Sequence, residues 1–172
     1  TVPVLIAGLA LKLAGVDEAL RSVAVIGWTM LVFGIVLYWA DQRGPQQKHA
    51  DSWSLRDAVV LGLWQAVALI PGTSRSGITI TGARFMGYDR ESAARISMLM
   101  SIPTIAASGI LLGGEVITAA DAQAARDGAI AAAFAFAAAL AALVVMMRLL
   151  KSISFTPYVI YRLILGVVLL GI

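Results

Sequence analysis

Residues 58–86 read Ala58-Val-Val-Leu-Gly-Leu-Trp-Gln65-Ala-Val-Ala-Leu-Ile70, then Pro71-Gly-Thr-Ser-Arg-Ser-Gly77, then Ile78-Thr-Ile-Thr-Gly-Ala-Arg-Phe-Met86. Two apolar pieces flank a polar turn. Neither reaches the roughly 20 apolar residues that a transmembrane helix needs, and runs of about 10 to 14 read as re-entrant or interfacial. The stretch therefore reads as a re-entrant helix-loop-helix over 57–87. Irregular backbone at membrane depth is tolerated only where it is buried in protein or lines a polar cavity, since unpaired N–H and C=O groups cost several kcal/mol each in hydrocarbon. The loop must face something polar.

Working outward, Val2 to Ala14 is short and carries Lys12, and reads as the tail of a helix (1–15). Full spans follow at 23–40, with Trp28, Tyr38 and Trp39 as interface anchors, then at 92–113 with Pro103 inside, 129–147, and 153–172. The Ala-rich 129–147 span suits close helix packing. These assignments describe an all-α polytopic membrane protein, a single membrane domain over 1–172. The composition agrees: 60% hydrophobic and 13% charged, against about 25% charged in soluble domains. The chain opens on Thr-Val-Pro without Met or a signal-peptide pattern and is read as a fragment.

Thirteen Lys and Arg against ten Asp and Glu lie at the ends of apolar runs rather than in a cluster, which excludes a nucleic-acid partner. Their placement sets the orientation. Arg43 to Arg56, Arg84 to Arg95, and Arg148 with Lys151 are expected on the cytoplasmic side, and the acidic Glu115 to Asp127 segment outside. With the hairpin not crossing, the assignments alternate consistently. There are no cysteines, so thiolate metal sites and Cys nucleophiles are excluded.

The loop carries the chemistry. Gly72 and Gly77 allow tight turning and close approach to a ligand, and the half-helix starting near Ser76 points free N–H groups and the positive end of its dipole back into the loop. Arg75 adds a bidentate guanidinium, while Thr73, Ser74, Ser76 and Thr79 add hydroxyls suited to phosphate oxygens. Phosphate or pyrophosphate is the natural guest. A bland alternative is a surface turn that merely caps the next helix. Gln65 either orients the loop or satisfies a buried carbonyl. Arg162, about ten residues or about 15 Å of helix from the chain end, is an intramembrane arginine and hence a candidate second clamp, unless it pairs with backbone carbonyls. Tyr158 and Tyr161 could orient it. Arg84, Arg90 and Arg95 read as charges at helix ends. His49, the sole histidine, reads as a solvated loop residue, and no Walker-type loop is present.

The stretch from Gly62 through Gln65 to Pro71-Gly72-Thr73-Ser74-Arg75-Ser76-Gly77-Ile-Thr79 resembles the second signature of the bacterial undecaprenyl pyrophosphate phosphatases, the bacitracin-resistance family. Every fixed position of Pro-Gly-x-Ser-Arg-Ser-x-x-Thr is matched. Similarity continues through Ala94-Arg-Ile-Ser97, Ile102-Pro103, Tyr158-x-x-Tyr161-Arg162 and Gly166. The resemblance implies one part of an interdigitated inverted repeat in the bacterial cytoplasmic (inner) membrane. It also implies removal of the terminal phosphate from the polyprenyl pyrophosphate carrier lipid, which recycles that carrier for peptidoglycan synthesis and confers bacitracin resistance. Arg75, Ser74, Ser76 and Thr79 would be catalytic. Gly72, Thr73, Gly77, Gln65, Arg162 and Tyr161 would bind substrate.

Family members extend further at the N-terminus and carry there a Glu-x-x-x-Glu motif and a histidine, which this chain lacks. Its close carboxylate pairs, Asp17-Glu18 and Asp89-x-Glu91, read as solvated. The Mg or Ca that the family implies would then have ligands outside this chain, on a missing N-terminal segment or a separate chain, and the chain alone would be inactive. A lipid-phosphate transporter or flippase with the same broken-helix anion site is the competing function, and a non-catalytic scaffold a third.

Overall fold

The computed structural model describes residues 2–15, 22–118 and 122–171. It is helical, with no strand among the described residues beyond a single bridge between Lys48 and Tyr88. The helices are α1 (Val2–Ala14), α2 (Val23–Arg43), α3 (Leu55–Ala66), α4 (Arg75–Phe85), α5 (Arg90–Thr118), α6 (Ala122–Leu149) and α7 (Thr156–Leu170), with short 3₁₀ turns at Ala50–Ser52 and Val67–Leu69. Local chemistry sets several boundaries. Ser22 caps α2 by accepting from Val25 N–H at 3.1 Å, and Ser54 caps α3 by accepting from Asp57 N–H at 3.1 Å. Asp89 accepts from Ser92 N–H at 2.7 Å at the head of α5, and Pro157 opens α7 in the first turn, where its missing N–H costs nothing.

Helix α7 packs along α2 through small residues. A Cβ on Gly166 would stand 2.9 Å from Leu31 Cδ2 and 3.1 Å from the Gly27 carbonyl oxygen, so the two backbones approach as closely as atoms permit. The apolar core, including Leu37, Leu61, Ile80, Tyr88 and Phe155, gathers where the C-terminal end of α2 meets α4 and the start of α5.

Many large apolar side chains face outward, among them Leu13 (80% exposed), Ile110 (76%) and Phe134 (74%). Such surface has no aqueous rationale and marks a molecule solvated by lipid. Among the described residues, Val23–Arg43 and Arg126–Leu149 are long and apolar enough to cross a bilayer, while Val2–Leu11 and Thr156–Leu170 are shorter apolar helices.

Element limits differ from the sequence reading in places. Helices α5 and α6 outrun the 92–113 and 129–147 spans, and helix occupies most of the acidic Glu115 to Asp127 segment between them. Alanine is the strongest helix former, and Ala122, Ala124 and Ala125 carry α6 back into that stretch. Helix α5 runs through Pro103 without interruption. Asp17, Glu18 and Asp121 lie outside the described residues.

Candidate active site

The break between α3 and α4 is held from four directions. Gly72 has φ +84°, and a Cβ there would stand 2.2 Å from Thr29 Oγ1 and 2.6 Å from the Ile26 carbonyl oxygen, so no other residue fits. Thr29 donates to the Pro71 carbonyl at 2.6 Å. Arg162, 2% exposed, donates from Nη2 to the Gly72 carbonyl at 2.8 Å and from Nη1 to the Thr73 carbonyl at 2.9 Å. The Tyr158 hydroxyl lies 3.0 Å from Ser74 Oγ. Ser74, with φ 67°, is the one non-glycine residue at positive φ among those described. It still caps α4, accepting from Gly77 N–H at 3.3 Å.

Arg162 therefore takes the carbonyl-pairing alternative: it fixes the loop rather than presenting an open fork to a ligand. Removing it would strand two loop carbonyls in a low-dielectric setting, where each unsatisfied group costs about 1–3 kcal/mol. Of the two tyrosines, Tyr158 meets the loop, whereas Tyr161 is 61% exposed. Tyr158 and Arg162 stand four residues apart and share a helix face, which was the signal that should have ranked Tyr158 above Tyr161.

Helix α4 begins at Arg75. The Arg75 and Ser76 amides find no backbone acceptor among the described residues, so the helix end retains donors and partial positive charge. Arg75 is half-buried, yet its guanidinium makes no hydrogen bond or ion pair with any described residue. Ser76 Oγ lies 3.4 Å from Ser74 Oγ. Gly77 is buried, and a Cβ there would come within 2.9 Å of Arg162 Nη1. The Ser74 and Ser76 hydroxyls thus lie together beside the free amides that open α4, and Arg75 stands between them in the chain.

Three other expected residues point elsewhere. The Thr79 hydroxyl, 2% exposed, bonds back to the Arg75 carbonyl at 2.9 Å and meets Ser97 Oγ at 2.6 Å, which ties α4 to α5. The Gln65 side chain is fully buried and donates to Thr104 Oγ1 at 3.0 Å, with its Oε1 left without a partner. Thr73 is fully buried with its hydroxyl unpaired. Thr79 and Gln65 thus tie α4 and α3 to α5, and the Thr73 hydroxyl is enclosed without a partner.

Beside the donor cluster lies a cavity of about 520 Å³ whose wall is almost wholly apolar. Ser76 and Tyr158 stand at its polar edge, and Met98, Ala141, Val145 and Leu149 form much of the remainder. The loop's hydroxyl and amide donors thus border an apolar cavity.

Sequence reading missed a buried ionic knot at the other end of α4. Asp41, 2% exposed, accepts from Arg90 Nε at 2.7 Å and Nη2 at 3.2 Å, and from Phe155 N–H at 3.2 Å. Arg84 Nε stands 3.4 Å from Asp41 Oδ1. Arg84 is fully buried and donates to the carbonyls of Tyr88 at 2.5 Å, Asp41 at 2.9 Å and Gly44 at 3.2 Å. Arg84 and Arg90 are thus internal ties rather than helix-end charges, and of the three arginines only Arg95 is exposed. His49 is largely exposed, as read, and pairs with Asp89 at 2.5 Å. Burial pushes the Asp89 carboxyl up, but hydrogen bonds from Ser92 and the nearby His49 outweigh it and hold Asp89 below the usual carboxylate range. Among the described residues, no group of three or more His, Asp or Glu could hold a metal ion.

Fold and site together define a helical membrane protein built around a broken helix pair, with a strained, donor-rich loop at the break. Its sequence places it further: the chain belongs to the bacitracin resistance protein BacA family, whose profile matches residues 1–168. Curated relatives named undecaprenyl-diphosphatase include one from Jannaschia sp. (strain CCS1), 74% identical over 100% of this chain and 64% of its own. Another, from Ruegeria pomeroyi, is 72% identical over the same shares, and one from Chromohalobacter salexigens is 44% identical over 99% of this chain and 64% of its own. The chain spans just under two thirds of the length of these relatives.

Proposed function

We propose that this chain is the phosphate-holding part of a multi-pass undecaprenyl-diphosphatase of the bacterial inner membrane. The whole enzyme would convert undecaprenyl pyrophosphate to undecaprenyl phosphate, returning the carrier lipid to peptidoglycan synthesis and so conferring bacitracin resistance. The observation that carries this reading is the half-buried, uncommitted guanidinium of Arg75 at the start of α4, whose chain neighbour Ser76 lines an apolar cavity. The terminal phosphate would lie against Arg75, the free α4 amides and the Ser74 and Ser76 hydroxyls, with the polyprenyl chain in the cavity. Water adds to the terminal phosphorus, the bond to the bridging oxygen breaks, and lipid phosphate and inorganic phosphate leave. Arg75 stabilises the charge that develops on the phosphate oxygens. No carboxylate or imidazole contacts Ser74 or Ser76 among the described residues, which favours their acting as donors over nucleophiles. A Mg or Ca ion, with ligands outside this chain, would supply further charge neutralisation.

The test is phosphate release from a polyprenyl pyrophosphate by the full-length protein. Release should be abolished by chelator and absent from the 172-residue segment alone. Binding of the lipid without any release by the full-length protein would favour the transporter reading.

Residues 57–87 are read as a re-entrant hairpin, one limb of an inverted repeat. In support, Lys48 N–H donates to the Gly87 carbonyl at 2.9 Å and Asp89 N–H to the Lys48 carbonyl at 3.0 Å, so the two basic segments share one end of the molecule. Cysteine introduced at position 48 should resist impermeant labelling from outside intact cells, and cysteine at 121 should accept it. The opposite pattern would sink the orientation.

A further inference from the structure

A second groove, of about 560 Å³, lies apart from the loop at the end where the basic segments meet. Its rim carries Asp51, Trp53 and Arg95, and its floor runs down α5 through Ile96, Leu99 and Met100 to Pro103. No residue of the 71–79 loop lines it. The rim charges have two properties that bear on a ligand. Asp51 and Arg95 are both exposed, and neither makes an ion pair or side-chain hydrogen bond with any described residue, including each other. The groove thus offers one free carboxylate and one free guanidinium at its mouth. Trp53 is 38% exposed and lies between an apolar wall and a polar rim, the setting that tryptophan occupies at membrane interfaces. From Arg95 to Pro103 the floor extends eight residues along a helix, about 12 Å, which is most of one leaflet of a hydrocarbon core about 30 Å thick.

We propose that this groove binds a membrane phospholipid whose head group carries a phosphate and a primary ammonium. The phosphate lies on Arg95, where the guanidinium can bridge two oxygens. The ammonium donates to Asp51. Trp53 packs at head-group depth, and one acyl chain follows Ile96, Leu99 and Met100 inward. A purely anionic lipid satisfies Arg95 and sets its charge against Asp51. A quaternary ammonium matches the charges but has no N–H for the carboxylate. The bound lipid would brace the 50–53 turn against α5, independently of turnover at the loop.

The experiment uses full-length protein in nanodiscs of phosphatidylcholine doped with phosphatidylethanolamine or phosphatidylglycerol, with lipids retained after detergent extraction counted by native mass spectrometry. Phosphatidylethanolamine should be retained in preference to both others. Asp51→Asn should weaken its retention about tenfold, the loss of one charge-assisted contact, while leaving phosphatidylglycerol retention unchanged or improved. Arg95→Gln should weaken retention of both phosphatidylethanolamine and phosphatidylglycerol. Ala58→Trp, which fills the groove from α3, should abolish the preference. Asp51 and Arg95 are exposed, so their variants should fold and should release phosphate from a polyprenyl pyrophosphate at the wild-type rate, which separates this site from the catalytic reading. Equal retention of the three lipids, a preference for phosphatidylglycerol, or an ethanolamine preference that survives both Asp51→Asn and Arg95→Gln would overturn the proposal. Occupation of the groove by the remainder of the full-length chain would appear as the first of these.

Discussion

Arg75→Ala in the full-length enzyme is expected to lower kcat/KM for a polyprenyl pyrophosphate by about 10²-fold or more, by analogy with removal of one transition-state donor, with membrane insertion and folding intact. The structure sharpens the reason. Nothing among the described residues depends on this guanidinium, since it has no internal partner, so its removal strands no buried group and should leave stability nearly unchanged. Arg75 is the first residue of α4, where the Arg75 and Ser76 amides also find no backbone acceptor among the described residues, and it is half-buried, a partly dehydrated setting where a charge-assisted contact is worth roughly twice a neutral one. Arg75→Lys keeps the charge and loses the planar fork, and should recover only a small part of the rate. The loss should fall on kcat, because a clamp on the developing phosphate charge acts more strongly in the transition state than on bound substrate; a rise in KM alone would mean uniform binding. If the alanine variant inserts normally and hydrolyses substrate at near the wild-type rate, the loop is not the phosphate site.

Asp41→Ala should act in the opposite sense, on stability first. The carboxylate is buried among Arg84, Arg90 and the Phe155 amide. Removing one partner of a buried charge pair leaves the other uncompensated and costs about 3–5 kcal/mol. Arg90 is partly exposed and can turn to solvent, whereas Arg84 cannot. The double variant Asp41→Leu with Arg84→Met removes both buried charges at once and should unfold later than Asp41→Ala alone. Thermal unfolding in detergent of the wild type and the two variants decides the matter. A change below about 0.5 kcal/mol for the single variant, the range of ordinary surface substitutions, would show that the knot does not hold α2, α4 and α5 together.

The helix break was legible because two signals agreed: apolar runs too short to span, and Pro71-Gly72 between them. Ser74, Arg75 and Ser76 followed from that break, since a helix start fixes where the next side chains and amides go. Thr79 and Gln65 were harder. Their spacing puts them near the loop along the chain, but the helical turn aims them at Ser97 and Thr104 on α5, partners that only tertiary packing reveals. Arg84 was misread for a similar reason. An arginine at the end of an apolar run reads as an interfacial charge, and nothing local shows that its acceptors are carbonyls of residues 41 and 44. Tyr158 was legible in principle through its four-residue spacing to Arg162.

Ser74 adopts φ 67° with ψ 116°, a sparsely populated conformation that costs a residue bearing a Cβ on the order of 1–3 kcal/mol and restricts glycine, which has no Cβ, less. Glycine would therefore relax the loop, and it would also delete the hydroxyl that caps α4 and meets Tyr158. The hydroxyl and the discomfort come together. Resilience and competence are thus opposed at this one position, and engineering the protein for greater robustness should begin anywhere but here.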